Sequence, residues 1–140
     1  MPDKVWKRVQ NLKRQAWDVR YKAVWALGEI KHESAVEPLI QALKDKNKDV
    51  RESATWALDR IVESLEEKRV EGKKLTPEGE KLLKVLALVK PHFTKDQEGR
   101  ITESWEVQAR ALEAAYNNEI DEKNARLYVK QLRAMKGNLK

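Results

Sequence analysis

The 140 residues contain two histidines, at positions 32 and 92, and no cysteine. Metal and nucleophile chemistry would have to be built from very little. His32-Glu33 is the one pair with suitable donor types, but a metal needs several such ligands converging on one point. His92 follows Pro91 and has no second histidine at ligand spacing. An exposed turn residue is the better reading of His32. No thiolate, disulfide, glycine-rich phosphate loop, nucleophile elbow or Ser/His/Asp set can be assembled. Acidic pairs are plentiful only because the helices are rich in charge. The chain is therefore expected not to be an enzyme, with no catalytic residue, metal site or cofactor.

The residues that stand out are aromatic. Trp17, Tyr21 and Trp25 are spaced i, i+4 and i+8, which places them on one line along a helix. With Val19 as origin, Val19, Ala23, Ala26, Leu27 and Ile30 form one apolar stripe, from whose centre Tyr21 lies about 175° and Trp25 about 145° away at about 100° per residue. The rings are expected on the side opposite the core. Trp56 holds the position of Trp25 one repeat later, and Trp105 that of Trp17 in a weaker third copy. Each ring buries roughly 150–250 Å² when covered, so together they exceed the apolar patch that a monomer normally leaves bare. Trp17, Tyr21, Trp25 and Trp56 are the expected anchors, with Lys22, Lys48 and Arg60 orienting a ligand. Glu29, Glu52 and Ser53 complete a polar rim. Burial by the chain's own later helices, or by a second copy in a homodimer, is the competing explanation.

The elements that hold these rings repeat. Asp18 to Ile30, DVRYKAVWALGEI, returns as DVRESATWALDRI at Asp49 to Ile61, thirty-one residues on. Between them lies HESAVEPLIQALKDKNK, and KVWKRVQNLKRQ before them is a worn copy in the same register. Self-similarity at this period means stacked two-helix units. The spacing predicts helices over residues 3–14 (capped by Pro2-Asp3), from Asp18 as cap to Ile30, 34–44, and from Asp49 toward Gly72. Thr76-Pro77 opens a fifth helix as cap and first residue. Residues 92–103 read as an irregular connection. Ser104 starts a sixth helix in which WEVQARALEAA echoes WDVRYKAVWAL, with Gln108 in place of Arg20. A seventh, over 120–135, carries Ala125, Leu127, Tyr128, Leu132 and Met135. Gly28 falls where two helices approach closely, although its counterpart Asp59 suggests that glycine is not obligatory.

The pattern AVEPLIQALKD, a short polar turn, then DVRxxAxxALxxI resembles the short HEAT-like repeats of phycobilisome lyase proteins. It is also similar to artificial solenoids built on that consensus. The likeness is strong over Val19 to Ile61, fair over 5–18 and weak beyond residue 75. It implies an all-α, right-handed α-solenoid of about three HEAT-like helix pairs plus a terminal capping helix. A single domain over 1–140 is expected, with clear repeats at 3–71 and a degenerate repeat and cap at 76–137. The resemblance implies that the helix bearing the Val-Arg pair lines the concave side, with Trp25 and Trp56 side by side. It also implies that Asp18, Arg20, Asp49 and Arg51 form hydrogen bonds between repeats. His32-Glu33 invites comparison with deoxyhypusine hydroxylase, a HEAT-like di-iron enzyme, but that enzyme needs several His-Glu pairs where this chain has one. Bilin attachment is suggested only by the lyase resemblance.

Bulk properties narrow the partners. The formal charge is +6, unevenly spread: residues 1–31 hold eight Lys and Arg against three acids, and Lys123 to Lys140 hold six bases and no acid. Basic ends can attract nucleic acid, although Lys- and Glu-rich helices are usually solvated faces. High Lys and Glu with no Cys resembles a thermophile-like composition. The longest apolar run, Val85 to Val89, is far too short to span a bilayer, so a cytoplasmic protein that does not enter a membrane is expected. The expected function is a non-enzymatic protein-protein interaction module or scaffold, binding a protein partner through the aromatic concave surface. The alternative is a nucleic-acid-binding HEAT-like protein using the same aromatic and basic groove, with rings stacking on exposed bases.

Overall fold

The computed structural model describes residues 2–135, and among them the chain is an all-α stack of helix pairs. The helices are α1 (Asp3–Asn11), α2 (Trp17–Ile30), α3 (Val36–Ala42), α4 (Lys48–Val70), α5 (Pro77–Val89), α6 (Trp105–Tyr116) and α7 (Ala125–Ala134). Turns of 3-10 helix precede α3 (Glu33–Ala35) and follow α5 (Lys90–His92). α1 pairs with α2, α3 with α4 and α5 with α6; α2 lies along α4, and α7 packs on α5 and α6. These are the three expected units and their closing helix. Residues 136–137 of the expected cap, and the basic residues Lys136 and Lys140, lie outside the described residues.

Helix starts follow side-chain chemistry. Asn47 accepts hydrogen bonds from the backbone N–H groups of Asp49 and Val50, at 2.8 and 3.2 Å, and so caps α4. Thr76 accepts from Gly79 N–H with Pro77 in the first turn, and Ser104 accepts from Val107 N–H. α2 departs from expectation. It begins two residues earlier, at Trp17, with Ala16 in place of Asp18 at the cap and no side-chain cap. Asp18 therefore lies inside the first turn, where its charge meets the positive end of the helix dipole. The first helix likewise lacks a side-chain cap and is shorter than predicted, and the last starts at Ala125 rather than 120.

The core runs through all three units. Val5, Leu27, Leu39, Ile40, Leu58, Ile61, Leu65 and Leu82 are wholly enclosed, each gaining about 1.5–3 kcal/mol from burial. On α2 the enclosed face is not the one the stripe predicts. Arg20, Ala23, Val24, Leu27 and Gly28 are buried, while Val19, Ala26 and Ile30 are only half-buried. At about 100° per residue the buried face is turned about 80° toward the aromatic line. The reason is that α2 packs against two helices, α1 and α4, so its contact is wider than one stripe. On α7 the enclosed residues are Ala125, Val129 and Leu132, while Leu127 and Met135 are exposed.

Three polar ties join the units. Arg20 donates from Nε and Nη2 to both oxygens of Asp45, at 2.7 and 3.0 Å, and from Nη1 to the carbonyls of Arg14 and Gln15. This fork crosses from the first unit to the second, as the resemblance implies. Arg51 corrects the expectation: it donates from Nη1 to the Asp45 carbonyl at 2.7 Å, a bond inside the second unit and not between repeats. Gln108 donates to the Glu103 carbonyl at 2.8 Å, so it does for the third unit part of what Arg20 does for the first. Asp18 and Asp49 are a correction: both are exposed, with no side-chain hydrogen bond among the described residues.

The second tie is Glu33. Its Oε1 accepts from the N–H and hydroxyl of Thr76, and its Oε2 takes Lys68 Nζ at 3.0 Å. A buried carboxylate from the second unit thus sits on the end of α5. A β-carbon on Gly79 would collide with Glu33 Oε1 and with Leu65, so the glycine makes room for this contact. The third tie is Glu103, buried, which accepts from Thr94 N–H and from Arg133 Nη2 at 2.6 Å. The stretch 92–103, expected to be irregular, folds back as a tight turn with Lys95 paired to Ile101, Asp96 bridging to Arg100 at 2.7 Å and Gly99 at φ 83°.

Candidate binding surface

The aromatic line exists as a continuous ladder. Trp17 and Tyr21 meet edge to face with ring centres 6.1 Å apart, and Tyr21 and Trp25 do the same at 6.3 Å. Trp25 then leans on Trp56 across the α2–α4 contact, centre to centre 4.3 Å and tilted 38°. Arg60 ends the row with its guanidinium 5.4 Å from the Trp56 ring centre, a cation–π contact worth about 0.5–1 kcal/mol or more. The two helices that carry the ladder run side by side because the repeat places Trp25 and Trp56 at the same position of successive units.

The rings differ in freedom. Trp17 is 46% exposed and Trp25 41%, whereas Tyr21 and Trp56 are half-buried against the core. Trp56 lies across Gly28: a β-carbon there would sit 2.6 Å from the ring's Cζ3 and 3.1 Å from the Cα of Ala57. Glycine is therefore required at 28 after all. Its counterpart Asp59 is free of that demand because the third unit offers Glu113, not tryptophan, at the corresponding position. Glu113 pairs instead with Lys44 at 2.9 Å, so the ladder stops at the second unit. Trp105 is half-buried in α6, away from it.

Of the expected orienting cations, only Arg60 touches a ring. Lys22 and Lys48 are exposed, with no ring contact among the described residues. Glu29 and Glu52 are also exposed, so the rim carries both signs, while Ser53 is buried and leaves it. Among the described residues no group of three His, Cys, Asp or Glu could hold a metal ion. His32 is exposed and its Nδ1 contacts Ser34 Oγ at 2.7 Å.

Residues 7–71, which carry the ladder, match the family model for HEAT repeats. Over that segment the chain is similar to HEAT repeats. No curated protein matches it. HEAT repeats commonly mediate protein interactions. Among the described residues no helix is long and apolar enough to cross a membrane.

Proposed function

We propose that this HEAT-like chain is a non-enzymatic binding module that docks a protein partner on the Trp17–Tyr21–Trp25–Trp56 ladder. The observation that carries the reading is a row of four touching rings, two of them more than two-fifths exposed, on helices whose buried faces are already taken up by the core. Tryptophan and tyrosine dominate interface energetics because they bury a large rigid area with little loss of side-chain freedom. Trp56, seated on Gly28 and capped by Arg60, holds Trp25 in place before any partner arrives, which lowers the ordering cost of binding. Lys22, Lys48, Glu29 and Glu52 form a rim of mixed charge, which suits a protein surface better than a polyanion.

The test replaces the exposed rings and spares the seated one. Trp17→Ala with Trp25→Ala should leave circular dichroism and the urea midpoint nearly unchanged while removing proteins that the wild type retains on a column. Unchanged retention would sink the reading. Nucleic acid makes a separate demand: its binding must weaken steeply with salt as counterions are released. A gel shift at low salt that fades on salt addition, and is lost in the double variant, would favour nucleic acid over the protein partner.

A further inference from the structure

Arg51 stands where Arg20 stands one unit earlier, and each donates from Nη1 to the backbone carbonyl six residues before it. The remaining two donors of Arg20, Nε and Nη2, are filled by both oxygens of Asp45. The same donors of Arg51 meet no carboxylate among the described residues, because the third unit places Thr102 at the position that Asp45 holds in the second. Arg51 is nevertheless only 9% exposed. It lines a cavity of about 300 Å³ together with Lys44, Arg110, Glu113, Glu119 and Tyr128.

We infer that this cavity is a binding site for a carboxylate group, which takes on Arg51 the place that Asp45 takes on Arg20. A planar guanidinium fork matches a carboxylate through two parallel hydrogen bonds, and the first unit displays that match in the same chain. A buried arginine whose fork is not engaged by an acid also gains from acquiring one. The charges of the lining select the class of ligand. Lys44, Arg51 and Arg110 face Glu113 and Glu119, an excess of one positive charge, which a monoanion balances and a phosphate dianion overshoots. Tyr128 adds a hydroxyl that can donate to the same group. The site lies on the α4–α6–α7 side and does not depend on the aromatic ladder.

The carboxylate can arrive as a free small acid or as an aspartate or glutamate side chain of a partner, and one experiment separates these. The Nε–H resonances of Arg51 and Arg20 are followed by NMR, with Arg51 assigned from the Arg51→Lys variant. The protein is titrated with sodium acetate and with N-acetyl-glutamic acid amide against sodium chloride at equal ionic strength. The expected result is a saturable shift of the Arg51 signal while that of Arg20, already engaged by Asp45, stays in place. Saturation at lower concentration with the glutamate derivative marks an acidic side chain as the occupant, and the reverse order marks a free acid. Absence of a saturable shift with either, or equal shifts at Arg20, overturns the inference. So does a response to inorganic phosphate alone. Arg51→Gln, which keeps a donor but loses the fork, should bind acetate at least tenfold more weakly; unchanged acetate binding in that variant, read by the shift of Tyr128, also overturns it.

Discussion

At the scale of single residues, Gly28 and Trp56 act as one device. The ring rests where any side chain on residue 28 would stand, and the Ala57 backbone lies just beyond. Gly28→Ala gains up to about 1 kcal/mol of helix propensity but incurs overpacking of about 1–3 kcal/mol, so the variant should unfold at lower urea than wild type. In a Trp56→Ala background the same change should cost less, since the ring is gone; equal costs in a double-mutant cycle would show that the two residues do not act together. Trp56→Ala itself should destabilise, unlike Trp25→Ala, because Trp56 is half-buried and Trp25 is not. The sequence states the i, i+4, i+8 spacing of the rings, and the 31-residue repeat states that Trp25 and Trp56 are neighbours. What neither could state is which ring is seated and which is open, because that follows from the width of the α2–α4 contact. For the same reason Val24, which lies outside the predicted stripe, is buried, and glycine at 28 looked optional beside Asp59.

At the scale of elements, helix ends were the most legible feature where a short polar side chain begins the helix, as at Thr76 and Ser104, and least where none does, as at Ala16. Thr76 serves two neighbours at once, accepting from Gly79 N–H and donating to Glu33. Thr76→Val should therefore exceed the ordinary cap loss of about 1 kcal/mol, measured by urea unfolding. Glu33 and Glu103 themselves were not legible, since their partners lie 43 and 30 residues away. Burial alone would raise both carboxyls, but for Glu33 the Thr76 N–H, Lys68 and the Thr76 hydroxyl outweigh it. For Glu103, Arg133 and the Thr94 N–H do the same, and each acid ends below its ordinary value. A carboxyl lowered in the folded state adds stability that is fully present above its unfolded pKa, about 4.3, and is lost as pH falls through the folded value. Urea midpoints should drop below about pH 4.3, and the double variant Glu33→Gln, Glu103→Gln should be weaker at pH 7 but flatter across that range. A variant as steep as wild type would place the acid sensitivity elsewhere.

At the scale of the whole molecule, the repetition and the stability have different boundaries. The second copy ends in sequence near Ile61, yet α4 continues to Val70 and the turn at Gly72 follows. Leu65 in that extension touches α5 at Gly79, and among the described residues the Glu33 carboxylate is held by Thr76 and Lys68. A fragment of residues 1–72 should consequently be helical but loosely packed, binding a hydrophobic dye and melting without a sharp transition. A sharp melt matching that of the full chain would show that the later helices are dispensable. Anyone borrowing the two clean repeats as a cassette would thus be severing a clasp whose halves lie on opposite sides of the scissors. The portable unit, if one is wanted for grafting the tryptophans onto another scaffold, begins at α1 and must carry the first turn of α5 with it.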